Sequence, residues 1–353
     1  MNALRSGMTT GTCAAAAAKA AVAVLLGGNA PAAVEIRLPA GERISVPVLS
    51  AAKKGGGAEA AVVKDAGDDP DITNGVTVTA FVEWSAGDIT FCAGDGVGTV
   101  TKPGLSVQPG EPAVNPVPRM MIARSVRELT TRGVRITISI PGGRELAGRT
   151  FNPRLGIRGG LSILGTSGRV RPFSCPALRA SLRCSLDVLA AAAVKFPVLV
   201  PGHIGKRAAR RHFRVTEDQL MEVSNEWGYV LDEAAPLGFP GIMVLGHPGK
   251  LAKLAAGDWD THSSRSQSAL PFVARLAAED LGRDFSAVPT VEGVFASLPE
   301  IQRTNLGNLV AGRIRKAVAD RSGGAAAAVV LVDMRGDILG VAGDISPWRR
   351  WRR

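Results

Sequence analysis

The stretch Val198-Leu-Val-Pro-Gly-His-Ile-Gly-Lys206 is followed later in the chain by a second copy of its pattern, Ile242-Met-Val-Leu-Gly-His-Pro-Gly-Lys250. Each copy opens with an apolar run, which predicts a buried strand, and continues into Gly-His-x-Gly-Lys at the start of a predicted helix. The glycines permit a positive φ and close backbone approach, and the helix N-terminus with its lysine offers a place for an anion. His203 and His247 would then project from the carboxyl ends of two strands.

Further strand and helix segments surround the two copies. The strands are predicted at 161–164, 197–200, 219–223 and 241–245, and the helices at 176–194, 204–213, 226–237 and 249–256. This alternation predicts a parallel, doubly wound sheet, which makes residues 156–265 a Rossmann-like α/β domain. In such sheets, ligands bind beyond the carboxyl ends of the strands.

The chain on either side of this domain has a different pattern. Residues 1–155 contain an alanine-rich helix, short β-branched runs and a proline-rich loop at 102–118, which predict an α+β two-layer domain. Residues 266–353 predict helices and a hairpin at 328–341, and we expect them to pack on the first domain and extend its sheet. The predicted fold class is therefore α/β plus α+β, with the Rossmann-like domain inserted after the two-layer domain. The end of the chain, 348–353, is expected to be solvated.

Positive charge is concentrated in one part of the chain. The 353 residues carry a net charge of +11, and residues 143–215 contain fourteen Lys or Arg but only two acidic residues. A field of this sign attracts nucleic acid, a phosphate compound or a polycarboxylate, although a merely solvated basic face explains the charge equally well. Aromatic residues make up only 5% of the chain, which disfavours the stacking surfaces that nucleic-acid binding uses.

Several other functional classes are disfavoured by the sequence. No apolar run is long enough to span a bilayer, so no membrane association is expected. The four cysteines form no CxxC pair, which favours a reduced, cytoplasmic protein. A phosphoryl-transfer enzyme would explain the Gly-Lys helix starts, but the GxxxxGK[ST] pattern is missing. The acidic cluster at 64–71 lacks the spacing of a calcium loop, and we expect no metal site.

Small polar residues and glycines mark four further positions. Gly165-Thr-Ser-Gly168 and Ser224-Asn225 follow predicted strands and could hold an adenosyl group or a carboxylate, or be ordinary turns. Thr9-Thr-Gly-Thr12 precedes the alanine-rich helix and could serve as an N-cap or an anion site. Gly94-Asp-Gly-Val-Gly98 is similar to a dinucleotide-binding loop, but no helix is predicted after it, so that interpretation fails.

Taken together, these segments resemble the cobalt-precorrin-5B C(1)-methyltransferase family, known as CbiD. The resemblance rests on Lys64-Asp-Ala-Gly-Asp-Asp-Pro-Asp71, Ile163-Leu-Gly-Thr-Ser-Gly168, Asp260-Thr-His-Ser263 and further stretches at 4–20, 94–105, 110–119, 151–157 and 246–251. It covers about residues 4–345. It implies methyl transfer from S-adenosylmethionine to carbon 1 of a cobalt-containing tetrapyrrole, cobalt-precorrin-5B, which gives cobalt-precorrin-6A in cobalamin biosynthesis.

This resemblance assigns candidate roles to residues of both predicted regions. The donor pocket would comprise six small residues at strand ends, namely Gly165, Thr166, Ser167, Gly168, Gly202 and Gly246. Lys102, Arg154 and Lys206 would bind carboxylates of the substrate. His247 or His262 would transfer any proton that accompanies the reaction. The oligomeric state stays open, a homo-oligomer included, and the alternative function is a basic nucleic-acid-binding or phosphoryl-transfer protein.

Overall fold

The computed structural model describes residues 4–172 and 174–349, and the chain divides into two compact units, Met1–Leu178 and Arg179–Arg353. This division differs from the expected boundaries after residues 155 and 265. The difference arises because the segment at 156–178 belongs to the first unit, whereas the C-terminal helices and hairpin belong to the second. Each unit has its own sheet and its own core.

Unit 1 contains eleven short strands and three helices within its described residues. The strands are β1 Gly7–Met8, β2 Ala33–Arg37, β3 Arg43–Pro47, β4 Ser50–Lys54, β5 Gly57–Val63, β6 Thr77–Trp84, β7 Thr90–Ala93, β8 Thr99–Val100, β9 Val134–Ser139, β10 Ile157–Arg158 and β11 Arg169–Val170. The helices are α1 Thr10–Leu25, α2 Pro116–Arg127 and α3 Gly143–Ala147. The main sheet has the order β4-β5-β6-β9-β7, and only the β9–β7 pair is parallel.

Helix α1 forms the centre of the unit 1 core. Seven of its eight alanines are fully buried, and it packs on strands β5 and β6 and on helix α2. Alanine methyl groups allow a helix to approach a sheet closely, and each buried methyl adds favourable apolar burial. The alternating burial along β6 and β9 turns Val78, Val82, Ile136 and Ile138 toward this helix. Unit 1 therefore combines helices with a largely antiparallel sheet.

Unit 2 is built on a five-stranded sheet. Its strands are β12 Val198–Val200, β13 Leu220–Glu222, β14 Gly241–Gly246, β15 Ala326–Val332 and β16 Ile338–Ala342. Helix α4, Cys175–Ala191, begins before the division at Leu178 and continues into unit 2. The other helices of unit 2 are α5 His203–His212, α6 Trp227–Ala234, α7 Pro248–Ala255, α8 Leu270–Leu281, α9 Val291–Ala296 and α10 Glu300–Arg321. The strand order is β13-β12-β14-β15-β16, and all neighbours are parallel except β16, which runs antiparallel to β15.

Two of the predicted strand positions are wrong. The hairpin β15–β16 does not extend the sheet of the first domain, because β15 pairs with β14 along its whole length. Six of the seven residues of β15 are buried, so the strand needs cover on both faces, which an interior place in a parallel sheet supplies. The segment 161–164 does not join this sheet. Its Leu161 and Ile163 instead form bridges to Val97 and Val114 in unit 1.

At the end of the described chain Trp348 is buried rather than solvated, whereas Arg349 is exposed as expected. Trp348 is 1% exposed, its ring meets Phe196 edge-on at 5.6 Å, and its indole Nε1 donates to the Phe196 carbonyl at 3.0 Å. The expected solvation of residues 350–353 concerns positions outside the described residues. No helix in the described part of the chain combines the length and the apolar composition that crossing a bilayer requires.

Candidate functional site

The two copies of the Gly-His-x-Gly-Lys pattern lie side by side in unit 2. Strands β12 and β14 are parallel neighbours, and helices α5 and α7 begin directly beyond their carboxyl ends. From β12 the chain crosses to β13 on one side, and from β13 it crosses to β14 on the other side of β12. The direction of winding therefore changes between β12 and β14, which is where open parallel sheets form a crevice for ligands.

The glycines of this edge have a structural role that differs from the expected one. No glycine of either copy of the pattern has a φ in the left-handed region between +20° and +160°. Two of them instead allow close packing, since a Cβ at Gly205 would lie 2.6 Å from the Leu245 carbonyl oxygen and one at Gly246 would lie 2.6 Å from Cγ of Pro201. At Gly202 a Cβ would meet a single atom within 4 Å, Oε1 of Glu222 at 3.7 Å. Gly202 alone therefore leaves open space at this edge.

Glu222 is a residue of this edge that the sequence interpretation missed. It is the last residue of β13 and pairs in register with Val200 of β12. Its charge also acts on Lys250, at the start of α7: burial and the charge of Lys253 lower the pKa of the Lys250 ammonium, and Glu222 opposes that change. A signal was present in the sequence, because Glu222 is an acidic residue at the end of a predicted strand twenty residues after Gly202.

His247 is held by contacts through both ring nitrogens. As N-cap of α7 it accepts a hydrogen bond at Nδ1 from the Gly249 backbone N–H at 3.0 Å. Its Nε2 contacts Oε2 of Glu292 at 2.7 Å, so the tautomer that satisfies both contacts carries its proton on Nε2. In this arrangement the lone pair of the neutral ring points at a backbone donor, which makes His247 a positioning group for α7.

The segment Asp260-Thr-His-Ser263 is anchored beside the same strand ends. Thr261 donates its backbone N–H to the Asn225 carbonyl at 3.1 Å, three residues beyond the end of β13. The ammonium of Lys253, which is largely buried in α7, donates to the Thr261 carbonyl at 3.2 Å and to Ser266 Oγ at 2.8 Å. The exposed ring of His262 contacts Ser264 through Nδ1. The structure therefore brings the His262 loop to the carboxyl edge of the unit 2 sheet.

Many cations of the basic stretch 143–215 are paired with carboxylates. The pairs within the described residues include Arg169–Glu42, Arg179–Glu226, Arg183–Asp187, Arg183–Glu233, Arg210–Glu217 and Arg211–Asp337. Acidic residues from outside the stretch supply most of these partners, so the local field is weaker than the sequence count suggests. The charge of this stretch is therefore a poor argument for nucleic acid.

Unit 1 contains a separate cleft of about 150 Å³, next to the N-terminus of α1. Thr9, Thr10, Asn152 and the ion pair of Lys64 and Asp71 contribute to its lining. Lys64 is 2% exposed, and its Nζ lies 2.7 Å from Oδ2 of Asp71. Burial opposes ionisation of Asp71, but hydrogen bonds from Lys64 and Thr73 outweigh it and hold the pKa of the carboxyl below its usual value. The Asp71 carboxyl is therefore ionised at neutral pH.

The loop Gly165–Gly168 lies against the start of α1, not at an end of the parallel sheet. Thr9 is the N-cap of α1, and its backbone N–H donates to the Gly168 carbonyl at 3.1 Å. Thr12 Oγ1 donates to the same carbonyl at 2.6 Å. Gly165 has a φ of 135° and Gly168 one of 80°, a region that favours glycine. Thr166 and Ser167, between them, are exposed.

The three predicted carboxylate-binding cations fall into two groups. Lys102 packs its side chain against Gly156, and the guanidinium of Arg154 lies 5.4 Å from the centre of the Phe151 ring, so both belong to one loop region of unit 1. Lys206 lies in α5 of unit 2.

The predicted donor residues are also divided between the two units. Unit 2 holds Gly202, Gly246, His247 and His262, whereas the loop 165–168 is in unit 1. The predicted donor residues therefore do not share one sheet edge.

Comparisons with known proteins connect both units to one family. The CbiD family model matches residues 1–172, and the model of the CbiD C-terminal domain matches residues 260–343. A relative from Syntrophotalea carbinolica, named cobalt-precorrin-5B C(1)-methyltransferase, is 53% identical over 350 residues, which cover 99% of this chain and 100% of the relative. A relative of the same name from Methanocaldococcus jannaschii is 41% identical over 345 residues, 95% of each chain.

A solved structure was also found. It is the crystal structure of a cobalamin biosynthesis protein (cbiD) from Archaeoglobus fulgidus, which is 32% identical, covers 74% of this chain and 83% of its own, and has a TM-score of 0.41. The assignment rests on the sequence matches, since two family models and relatives of nearly full length agree. The chain belongs to the CbiD family.

Proposed function

We propose that this protein is a methyltransferase that methylates carbon 1 of cobalt-precorrin-5B in cobalamin biosynthesis, with S-adenosylmethionine as the donor. The observation that carries this proposal is the 53% identity to a cobalt-precorrin-5B C(1)-methyltransferase over the whole of both chains. The products would be cobalt-precorrin-6A and S-adenosylhomocysteine, with the cobalt belonging to the substrate. Cys13, Cys92 and Cys184 are free thiols, which supports a reducing compartment such as the cytoplasm.

In this proposal the donor binds at the carboxyl edge of the unit 2 sheet. The residues there fit an adenosyl donor, because Gly202 leaves room beside β12 and an acidic side chain stands at the end of β13. The unit 1 cleft fits it poorly, since its volume of about 150 Å³ is below the range of about 300–1,000 Å³ of typical sites for drug-sized ligands. The assignment of Gly165, Thr166, Ser167 and Gly168 to the donor stays a prediction.

The proposed reaction is a direct displacement. The bound donor supplies an electrophilic methyl group whose bond to sulfur breaks, with its electron pair leaving on sulfur, as carbon 1 of the macrocycle attacks. The residues of the chain orient the two reactants, which can provide a large part of the rate enhancement. Lys102, Arg154 and Lys206 would hold carboxylates of the macrocycle, and His262 is the better candidate for a proton transfer because His247 is engaged at both nitrogens.

A labelling experiment tests the proposed function. Purified protein is incubated with cobalt-precorrin-5B and a donor whose methyl group carries carbon-13. We expect one labelled methyl group at carbon 1 of the macrocycle by nuclear magnetic resonance, with one S-adenosylhomocysteine formed per product. A boiled sample is the control. Label at another carbon, or no consumption of the donor, would contradict the proposal.

Asparagine variants test the two histidines. We expect His262→Asn to lower kcat roughly a hundredfold, the loss typical for a group that transfers a proton. In contrast, His247→Asn should retain kcat, because asparagine also caps helices, whereas His247→Ala should lose about 1 kcal/mol of stability with the cap. The measurements are steady-state turnover at saturating substrate and thermal unfolding. Full turnover in His262→Asn would remove this residue from the mechanism.

A further inference from the structure

Glu222 stands at the carboxyl edge of the unit 2 sheet, one strand away from the position between β12 and β14 where the winding direction changes. It ends strand β13, whose neighbour β12 leads into Gly202 and helix α5. The backbone contact between the strands continues one residue further, since Val223 donates its N–H to the Val200 carbonyl at 2.8 Å. The backbone that carries Glu222 is therefore hydrogen-bonded to β12, the strand that leads into helix α5.

The space beside this carboxylate is open toward Gly202. Gly202 has a φ of 170°, an extended conformation that any residue can adopt, so the backbone does not require glycine there. Packing does not require it either, because the nearest atom to a Cβ at this position would be Oε1 of Glu222 at 3.7 Å, an ordinary van der Waals distance. A side chain at Gly202 would instead fill the open volume next to the Glu222 carboxylate.

The surroundings favour a neutral, hydroxyl-rich ligand group at this point. Lys250 lies near enough for the Glu222 charge to affect its pKa, so the local charge of the carboxylate is already balanced in part. An ionised carboxylate has only acceptor atoms, and two vicinal hydroxyl groups can each donate one hydrogen bond to it. A ribose presents such a pair, and acidic residues at this place in doubly wound sheets accept from ribose hydroxyls.

We propose that Glu222 binds the ribose hydroxyls of the methyl donor, with Gly202 providing the space that the sugar occupies. The inference rests on the proposed function, because it assumes an adenosyl donor. In this arrangement Glu222 is a binding residue that fixes the nucleoside end of the donor. The methyl group would then be oriented from a position held by the strand end of β13.

Binding measurements with two ligands test the role of Glu222. Isothermal titration calorimetry compares S-adenosylhomocysteine with its 2′,3′-dideoxy analogue on the full-length protein. For the unaltered protein we expect the analogue to bind about tenfold more weakly, since hydrogen bonds to a charged group are lost. In Glu222→Ala the two ligands should bind with equal affinity, at the weaker level. Glu222→Gln, which keeps the shape and one acceptor, should retain part of the difference.

A matched variant and two contrary outcomes complete the test. Glu279→Ala removes an exposed carboxylate from α8 of the same unit and should leave both affinities unchanged. If Glu222→Ala still prefers S-adenosylhomocysteine as strongly as the unaltered protein does, the assignment of Glu222 is overturned while the methyltransferase proposal stands. If the unaltered protein binds neither ligand, the proposed function fails instead. A purely structural role for Glu222 would shift the melting temperature without removing the preference.

Discussion

Replacing Asp71 with asparagine is expected to lower the free energy of unfolding by about 3 kcal/mol, because it leaves a buried ammonium without its counter-charge. The side chain of Lys64 is 1% exposed, so water cannot replace the lost carboxylate. The amide of asparagine can still accept one hydrogen bond, which keeps the expected loss near the lower end of the range for broken buried pairs. Denaturation by urea at pH 7 measures the change.

The Lys64→Met variant is the control for this explanation. Methionine fills a similar volume without a charge, and Asp71 keeps its contacts with Thr73, whose backbone N–H and Oγ1 donate at 2.7 and 2.6 Å. We therefore expect Lys64→Met to cost less than Asp71→Asn, and the double variant to regain most of the stability. Equal losses in the two single variants would show that the buried unpaired charge is not the cause.

The effect of Asp71 also predicts a dependence on pH. The pKa of this carboxyl is lowered in the folded protein, because hydrogen bonds from Lys64 and Thr73 outweigh the opposing effect of burial. Its stabilising contribution is therefore fully present above the unfolded pKa of about 3.9 and is lost as the pH falls through the lower, folded value. The stability difference between the unaltered protein and Asp71→Asn should be constant from pH 7 to 5 and should shrink below about pH 4.

Local patterns in the sequence were sufficient for many elements, and pairing between distant segments was not. The two copies of the Gly-His-x-Gly-Lys pattern predicted strands and helix starts, and β12 and β14 are indeed neighbouring parallel strands. In contrast, the apolar run 161–164 has the same composition as a buried strand of either unit, so its periodicity could not show that it bridges to Val97 and Val114. The partner of the hairpin β15–β16 was likewise undetermined by any local pattern.

The candidate site shows the same limit at the level of single residues. The sequence placed His247 at a strand end but could not show that its ring caps α7 and contacts Glu292, which lies 45 residues later. Glu222 was overlooked because one acidic residue at a strand end carries no weight until the strand order is known. Trp348 was misjudged because its charged neighbours suggested solvent, whereas its ring is buried beside Phe196. In each case the deciding contact is distant in sequence.

Replacing Gly307 with alanine is expected to lower the stability of unit 2 by about 3 kcal/mol, since helix α10 and strand β16 touch through their backbones. A Cβ at Gly307 would lie 2.0 Å from the Leu339 carbonyl oxygen, and one at Gly340 would lie 2.1 Å from the carbonyl carbon of Gly307. No side chain can move aside there, so the helix and the strand would have to separate. The separation would also strain the hydrogen bond that Asn308 Oδ1 accepts from the Val341 backbone N–H at 2.8 Å.

The same substitution at Gly312 provides a control of opposite sign within one helix. Gly312 also lies inside α10, but a Cβ there would meet nothing within 4 Å. Alanine is favoured over glycine in a helix interior by about 1 kcal/mol, so Gly312→Ala should raise the stability by up to that amount. Urea denaturation of both variants separates the two effects. If Gly307→Ala were also stabilised, helix propensity would dominate, and the close contact between α10 and β16 could not be part of the folded protein.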